Sequence, residues 1–555
     1  MSRYCVGVDF GTLSARALVA EVGTGREVAW ADMDYPHGVM DECLADGTPL
    51  RPDWALQHPQ DYISCLAQVV PEALRRSGIA PAEVVGLGID FTSCTLMPVD
   101  AQGEPLCMRQ DYAANPHAYV KLWKHHAAQD QADRMNAAAQ ARSEAFFPRY
   151  GGKISSEWLF PKLWQTLEEA PEIYRAADAF VEAADWVIFR LTGRKTRSEC
   201  ALGYKALYRK GAGFPDSGYF KALDERLEHV VEEKLGGEIL PLGAKAGEIT
   251  PEAAHMIGLL PGTAVAAANV DAHVSVPAVG ITDPGSLLMI MGTSACHMAL
   301  SETEQLVPGI CGVVQDGILP GLMGYEAGQS AVGDQLSWFV ENCVPEAYAL
   351  QARARGIGLH QLLTEGAGRL KVGESGLLAL DWWNGNRSVL TDGALSGMML
   401  GMTLRTRPEE IYRALIESTA YGSRAIVENF QAHGVEVKEV VACGGIAQKN
   451  PVAMQIYADV LNRPIRVARS TQSPALGSAM FGAVAAGSER GGYETIRQAA
   501  REMGGVKAGG YAPIPENARV YDRLYGEYKR LHDYFGRGEN PVMKVMKGIR
   551  SQTFS

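Results

Sequence analysis

The apolar run Tyr4 to Val8 leads into Asp9-Phe10-Gly11-Thr12-Leu13-Ser14, and far along the chain the run Ser286 to Ile290 leads into Met291-Gly292-Thr293-Ser294. One device is therefore written twice: a strand that ends in a tight turn of glycine and small hydroxyl residues. Glycine lets the backbone turn without a side chain in the way, so bare N–H groups can approach an anion. A fold that carries one such turn in each half points to a nucleoside triphosphate gripped between two domains.

The rest of the composition agrees with that architecture. At 555 residues the chain exceeds what one hydrophobic core supports, so two or three domains are expected. Hydrophobic residues make up 47% and charged residues 21%, the balance of an ordinary globular protein. The 52 Lys and Arg against 64 Asp and Glu leave a formal charge of −12 with no long basic run. That balance argues against a nucleic-acid partner or an anionic membrane surface and for a small-molecule partner. The ten cysteines are spread without a C-x-x-C pair, as in a reduced, cytoplasmic protein, so no disulfide or metal-thiolate site is expected. The longest apolar stretch, Ala264 to Ile281, is broken by Asn269, Asp271 and His273 and is too polar to span a bilayer. A strand begins within four residues of Met1, which leaves no room for a signal peptide.

Strand and helix signals alternate in the manner of α/β domains. Tyr62, Cys65, Leu66, Val69, Val70, Ala73 and Leu74 recur at helical spacing, Gly78 supplies a stop, and Val84 to Asp90 reads as a buried strand. Pro408 opens a helix to about Ala432, Val437 to Ala442 is a strand, Asn450-Pro451 starts a helix, and Pro464 to Val467 returns to strand. Ser473-Pro474 starts a small-residue helix ending near Gly487, in which Gly477, Ala479, Gly482 and Ala483 suggest close helix packing. Tyr521, Leu524, Tyr528, Leu531 and Phe535 mark a C-terminal amphipathic helix packed on the body. The second turn places the domain boundary between about residues 275 and 285.

Common nucleotide and hydrolase signatures are missing. Gly152-Lys153 is followed by Ile154, so no Walker sequence is formed, and no complete G-x-G-x-x-G occurs. Gly292-Thr293-Ser294-Ala295-Cys296 lacks the second glycine of a nucleophile elbow, and there is no H-E-x-x-H.

What remains is polar residues in apolar or glycine-rich surroundings. Asp271, shortly before the second turn, is the candidate general base for a hydroxyl nucleophile; alone it would read as a helix cap. Asp9, at a strand end beside the first turn, suits Mg²⁺ held directly or through water, and otherwise initiates an Asx turn. Cys443-Gly444-Gly445-Ile446 joins a strand to a helix, and its paired glycines would let a base or ribose lie against backbone, or would merely make the turn. His125-His126 are expected on a solvated helical face. Trp382-Trp383 with Asn384, Asn386 and Arg387 either walls a polar site or forms a structural loop with one buried tryptophan.

In this order and spacing, Asp9-Phe10-Gly11-Thr12, Asp271, Gly292-Thr293 and Gly444-Gly445 resemble the FGGY carbohydrate kinases of the actin-like ATPase superfamily. Gly397 to Met402 through Ala414 to Glu417 is similar to that family's C-terminal signature, and the resemblance covers nearly the whole chain. Asp90 to Thr95, Gly151 to Trp158, Gly203 to Ala206, Tyr325 to Ser330 and Asp381 to Arg387 look like the members that phosphorylate ribulose.

The resemblance implies two ribonuclease-H-like α/β domains flanking a central cleft. Residues 1–280 would bind sugar, and residues 281–555, with a helical extension, would bind ATP. It implies that Asp9, Gly11, Thr12, Ser14, Gly292, Thr293, Gly444 and Gly445 contact ATP. Asp9 and Asp271 would hold Mg²⁺ through water. Cys94, Lys205, Asp271 and Glu326 would bind a ketopentose. Asp271 would take the proton of the ribulose 5-hydroxyl in an ATP-dependent transfer belonging to L-arabinose catabolism. Xylulose, ribitol or a non-sugar actin-like ATPase stand as alternatives, and a homodimer is left open as the assembly.

Overall fold

The computed structural model describes residues 2–553. In the first half, β1 (Tyr4–Phe10), β2 (Ser14–Glu21) and β3 (Glu27–Asp34) form an antiparallel meander. Helix α1 (Pro59–Ser77) then leads to β4 (Val84–Phe91), which pairs with β1 in parallel. Pro59 sits in the first turn of α1, and Gly78 ends it at φ +67°, a left-handed conformation that glycine adopts without Cβ strain. Every residue of β4 is buried, as expected of a strand covered on both faces.

A smaller sheet pairs β5 (Leu96–Val99) antiparallel with a strand that follows α2 (Leu159–Glu169), namely β6 (Ala179–Glu182). The chain continues through α3 (Ala183–Thr192), β7 (Thr196–Ser198) and α4 (Glu199–Lys205). It returns to the main sheet as β8 (Lys245–Glu248), β9 (Ala264–Ala266) and β10 (Asn269–Val270), then enters α5 (Asp271–Ala278).

The second half repeats the pattern. Strands β11 (Gly285–Met291) and β12 (Ala295–Ser301) pair antiparallel, with β13 (Gly312–Gln315) and β14 (Met323–Gln329) extending the meander. After the long helix α6 (Pro408–Ala432), β15 (Val437–Cys443) pairs with β11 in parallel. Short α7 (Gly445–Lys449) and α8 (Pro451–Leu461) lead to β16 (Ile465–Val467), parallel to β15. The two sheets therefore match: β1 corresponds to β11, β2 to β12, β3 to β14, β4 to β15 and β9 to β16. This is the repeated ribonuclease-H-like α/β layout that the family resemblance implied, with one glycine turn in each half.

Helix α9 (Ser473–Ala486) crosses back and lies on the sheet of the first half. The approach needs glycine: a Cβ at Gly88 of β4 would stand 1.9 Å from the Ser478 carbonyl oxygen, and one at Gly7 of β1 would stand 1.8 Å from that of Ala475. The small-residue face of α9 meets α5 in the same way, with a Cβ at Gly477 reaching 2.0 Å from the Val274 oxygen. Helix α10 (Pro515–Gly536) packs Tyr521 and Tyr528 into the core of the second half, as its spacing suggests, and Arg413 donates to the Tyr521 hydroxyl at 2.9 Å.

Candidate active site

The register of three strands builds the first part of the site. Asp9 of β1 lies opposite Asp90 of β4, and Asn269 of β10 lies opposite Asp90 on its other side. Two residues later Asp271 opens α5. All of these stand at or just past the C-terminal ends of parallel strands, where open α/β sheets bind ligands.

Three carboxyl groups so placed cannot all carry charge at low cost. Burial and the neighbouring Asp9 push Asp271 up to about 7. Burial likewise raises Asp9, and burial with the charges of Asp9 and Asp271 raises Asp90 far above the usual carboxylate range. Ser478 of α9 donates to Asp90 Oδ2 at 2.5 Å, while Asp90 Oδ1 has no hydrogen-bond partner among the described residues. Ala272 N–H donates to Asp271 Oδ1 at 2.7 Å. Hard oxygen ligands crowded together, with Asp9 and Asp90 close enough to share a proton, suit a divalent cation such as Mg²⁺. Among the described residues, His37, His58 and Asp61 at the start of α1 form the group whose ligand atoms all lie within 4.8 Å of one another.

The two turns have the same construction. Gly11 N–H donates to the Ser14 carbonyl at 3.0 Å, and Gly292 N–H donates to that of Ser294 at 2.9 Å. The first is braced from behind: Gln57 donates to the Thr12 carbonyl at 2.7 Å and Trp123 to its hydroxyl at 3.1 Å. In the second, Gly292 and Thr293 are exposed. Gly444 follows β15 at φ +91°, and a Cβ there would stand 2.4 Å from the Met291 carbonyl oxygen. Exposed Gly445 then opens α7. Gln448 donates to the carbonyls of Ala468 and Ser470 at 3.0 and 3.2 Å, so it ties α7 to the loop before α9.

The third part spans the two halves. Lys205, the last residue of α4, is buried with Nζ 3.0 Å from both oxygens of Glu326 on β14. Arg387 reaches Glu326 Oε1 at 3.0 Å and His273 Nε2 lies 3.4 Å from Oε2. Burial alone would raise the Glu326 carboxyl, but Lys205, His273 and Arg387 hold it far below the usual range. Cys94 sits at φ +57°, and its carbonyl accepts from buried Lys162 at 2.7 Å. His273, two residues past Asp271 in α5, reaches Glu326, so the ion cluster adjoins the carboxylate cluster.

Sequence reasoning did not assign roles to Asp90, Ser478, His273 or Lys162, nor to Arg387 as a partner of Glu326. Asp90-Phe91 repeats the strand-Asp-Phe ending of Asp9-Phe10, a signal that identifies Asp90. The expectation of a solvated helical face for His125 is corrected. His125 is fully buried outside any helix, accepting from Ala55 N–H at 3.3 Å through Nδ1 and meeting Gln165 Oε1 at 3.0 Å through Nε2. Trp382 is buried, and the same loop delivers Arg387 to the site.

The models of the FGGY family of carbohydrate kinases match residues 4–278 (N-terminal domain) and 287–486 (C-terminal domain). The chain belongs to the FGGY family of carbohydrate kinases. It is 57% identical over 546 residues to the ribulokinase of Geobacillus thermodenitrificans, covering 98% of this chain and 97% of that one. To the ribulokinase of Mycolicibacterium smegmatis it is 50% identical over 551 residues, covering 99% and 97%. Among solved structures it resembles xylulose kinase from Rhodospirillum rubrum, with a TM-score of 0.75 at 23% identity over 96% of this chain and 98% of that one. Ligand-bound xylulose kinase from Lactobacillus acidophilus gives a TM-score of 0.80 at 16% identity, covering 97% and 99%. At those identities the structures establish the FGGY fold alone. No helix among the described residues is long and apolar enough to cross a membrane.

Proposed function

We propose that this FGGY kinase is a ribulokinase that transfers the γ-phosphoryl group of ATP to the 5-hydroxyl of ribulose, as a step of L-arabinose catabolism in the cytoplasm. The observation that supports the reading is Asp271, a buried carboxylate with a raised affinity for protons, near enough to Asp9 and to the Lys205–Glu326 pair for each to bear on its charge. It is supported by identity of 50 to 57% to ribulokinases over nearly the full chain.

In this reading Lys205 and Glu326 bind the hydroxyl and carbonyl oxygens of the ketose, and the Cys94 backbone lines the pocket. Asp271 orients the terminal hydroxyl and accepts its proton as O5 forms a bond to the γ-phosphorus. The bond from that phosphorus to the bridging oxygen breaks, and its electrons leave with ADP. The turns at Gly11-Thr12-Leu13-Ser14 and Gly292-Thr293 present backbone N–H groups to the charge that gathers on the phosphoryl oxygens, the principal source of rate in phosphoryl transfer. The Gly444-Gly445 turn takes the nucleoside. Asp9, Asp271 and Asp90 would hold Mg²⁺, directly or through water, and the ion supplies charge neutralisation at the phosphates.

A coupled ADP-release assay across ribulose, xylulose, ribitol, arabitol and glycerol tests the proposal. Ribulose gives the highest kcat/KM; a higher value for xylulose or glycerol removes the substrate assignment.

A further inference from the structure

The loop from Thr92 to Thr95 leaves β4 two residues past Asp90 and leads into β5. Thr92 N–H donates to the Phe10 carbonyl at 3.2 Å, so the loop starts against the strand end that carries the first glycine turn. Within the loop Cys94 holds φ +57°, a left-handed conformation that a residue with a Cβ adopts only at a cost in free energy. Such a residue persists where its surroundings determine its conformation, and those positions cluster at ligand sites.

The peptide group between Cys94 and Thr95 is held at both ends. Its carbonyl accepts from Lys162 Nζ of α2 at 2.7 Å, and its N–H donates to Glu182 Oε2 at the end of β6 at 3.0 Å. Lys162 is 0% and Glu182 4% exposed. Lys and Glu are rarely buried to that degree, yet here both serve one peptide group. Lys162 also donates to the Leu122 carbonyl at 2.8 Å, but that oxygen accepts from His125 N–H as well, so loss of Lys162 falls on Cys94. Lys162 stands one helical turn past Trp158, and the Lys205 ammonium lies 6.0 Å from the Trp158 ring centre. The start of α2 therefore borders the ion cluster of Lys205 and Glu326 while its next turn fixes the Cys94 loop.

We propose that Lys162 and Glu182 are a pair of positioning residues for the acceptor sugar. Together they fix the plane of the Cys94–Thr95 peptide, and with it the direction in which the backbone of the Thr92–Cys94 turn faces the sugar. Neither side chain touches the reacting atoms; both act through Cys94. The inference rests on the reading above in which the Cys94 backbone lines the sugar pocket.

Lys162→Met keeps the length of the side chain and removes the donor, and Glu182→Leu removes the acceptor at similar volume. Calorimetry on the full chain reads the Kd for ribulose and for a non-hydrolysable ATP analogue, and initial rates read kcat. Each variant weakens ribulose by about fivefold or more, the worth of one hydrogen bond, with the ATP analogue within about twofold and kcat at saturating ribulose within about threefold. The double variant binds ribulose within about twofold of the weaker single variant, because both changes release the same peptide group; independent packing defects would multiply instead. Glu182→Asp keeps the carboxyl but draws it back from Thr95, so it reads the same loss even if Glu182→Leu does not fold. Unchanged ribulose affinity in Lys162→Met or Glu182→Asp overturns the proposal. So does a double variant in which the losses multiply, or a loss of ATP-analogue affinity as large as that of ribulose. If the unaltered chain prefers another sugar of the panel, the ribulose assignment fails, and the same ratios are read with that sugar.

Discussion

Lys205 Nζ lies 3.0 Å from both carboxylate oxygens of Glu326, although 121 residues separate them and they belong to opposite halves of the molecule. The pair is buried and reinforced by Arg387, so its energetics are those of a desolvated ion cluster. Removing one member strands the other without water.

Glu326→Ala therefore leaves two cations without their shared partner and destabilises the protein by roughly 3 to 5 kcal/mol. Urea unfolding measures this loss, and calorimetry is expected to find ribulose binding weakened at least tenfold with nucleotide binding retained. A loss below about 1 kcal/mol would mean that the cluster contributes no more than a surface pair.

In the proposed reaction the Asp271 carboxyl, raised to about 7, works as a base only when deprotonated. Its contribution is present above that pH and lost below it. The kcat/KM for ribulose is expected to fall by about tenfold per pH unit on the acid side of neutrality. A profile flat from pH 8 to pH 5 would assign the proton to another group.

Asp9, Asp90 and Asp271 all titrate above the usual carboxylate range because burial and one another's charge disfavour ionisation. The folded protein thus keeps protons that the unfolded chain has lost above about pH 4. The stability these groups contribute is present in acid and is lost as pH rises, for Asp271 through about 7. In the proposed reading magnesium replaces the protons, so it should raise the Tm more at pH 8 than at pH 6, and EDTA should reverse the gain. Asp90→Asn should reduce the difference; an equal shift at both pH values would place the ion elsewhere.

Gly444 holds φ +91° against the Met291 carbonyl, a conformation and a space that a methyl group does not share. Gly444→Ala should raise the KM for ATP several-fold and leave that for ribulose within about twofold, read from initial rates in which each substrate is varied. An unchanged KM for ATP would remove the turn from the nucleotide site.

The duplicated turn, and with it the repeated α/β layout, was legible because strand, glycine and small hydroxyl residues are neighbours in sequence. The helix from Pro408 to Ala432 was legible for the same reason, its period and its opening proline being local. Lys205 and Glu326 were reached only through family resemblance, since nothing near either residue indicates that they meet. Ser478 was hidden because α9 belongs to one half and packs on the other, and Arg387 because a loop carries it to Glu326. His125 failed for a related reason: the groups that satisfy its ring, Ala55 N–H and Gln165, arrive from distant segments, and a histidine so partnered can be buried.

The central claim is that Asp271 takes the proton of the sugar hydroxyl during transfer. Asp271→Asn preserves shape and removes the base, so calorimetric Kd values for ribulose and an ATP analogue should stay within about threefold while turnover falls by roughly 10² to 10⁴. Binding retained with transfer lost is the expected result; near-normal turnover in Asp271→Asn would contradict the account.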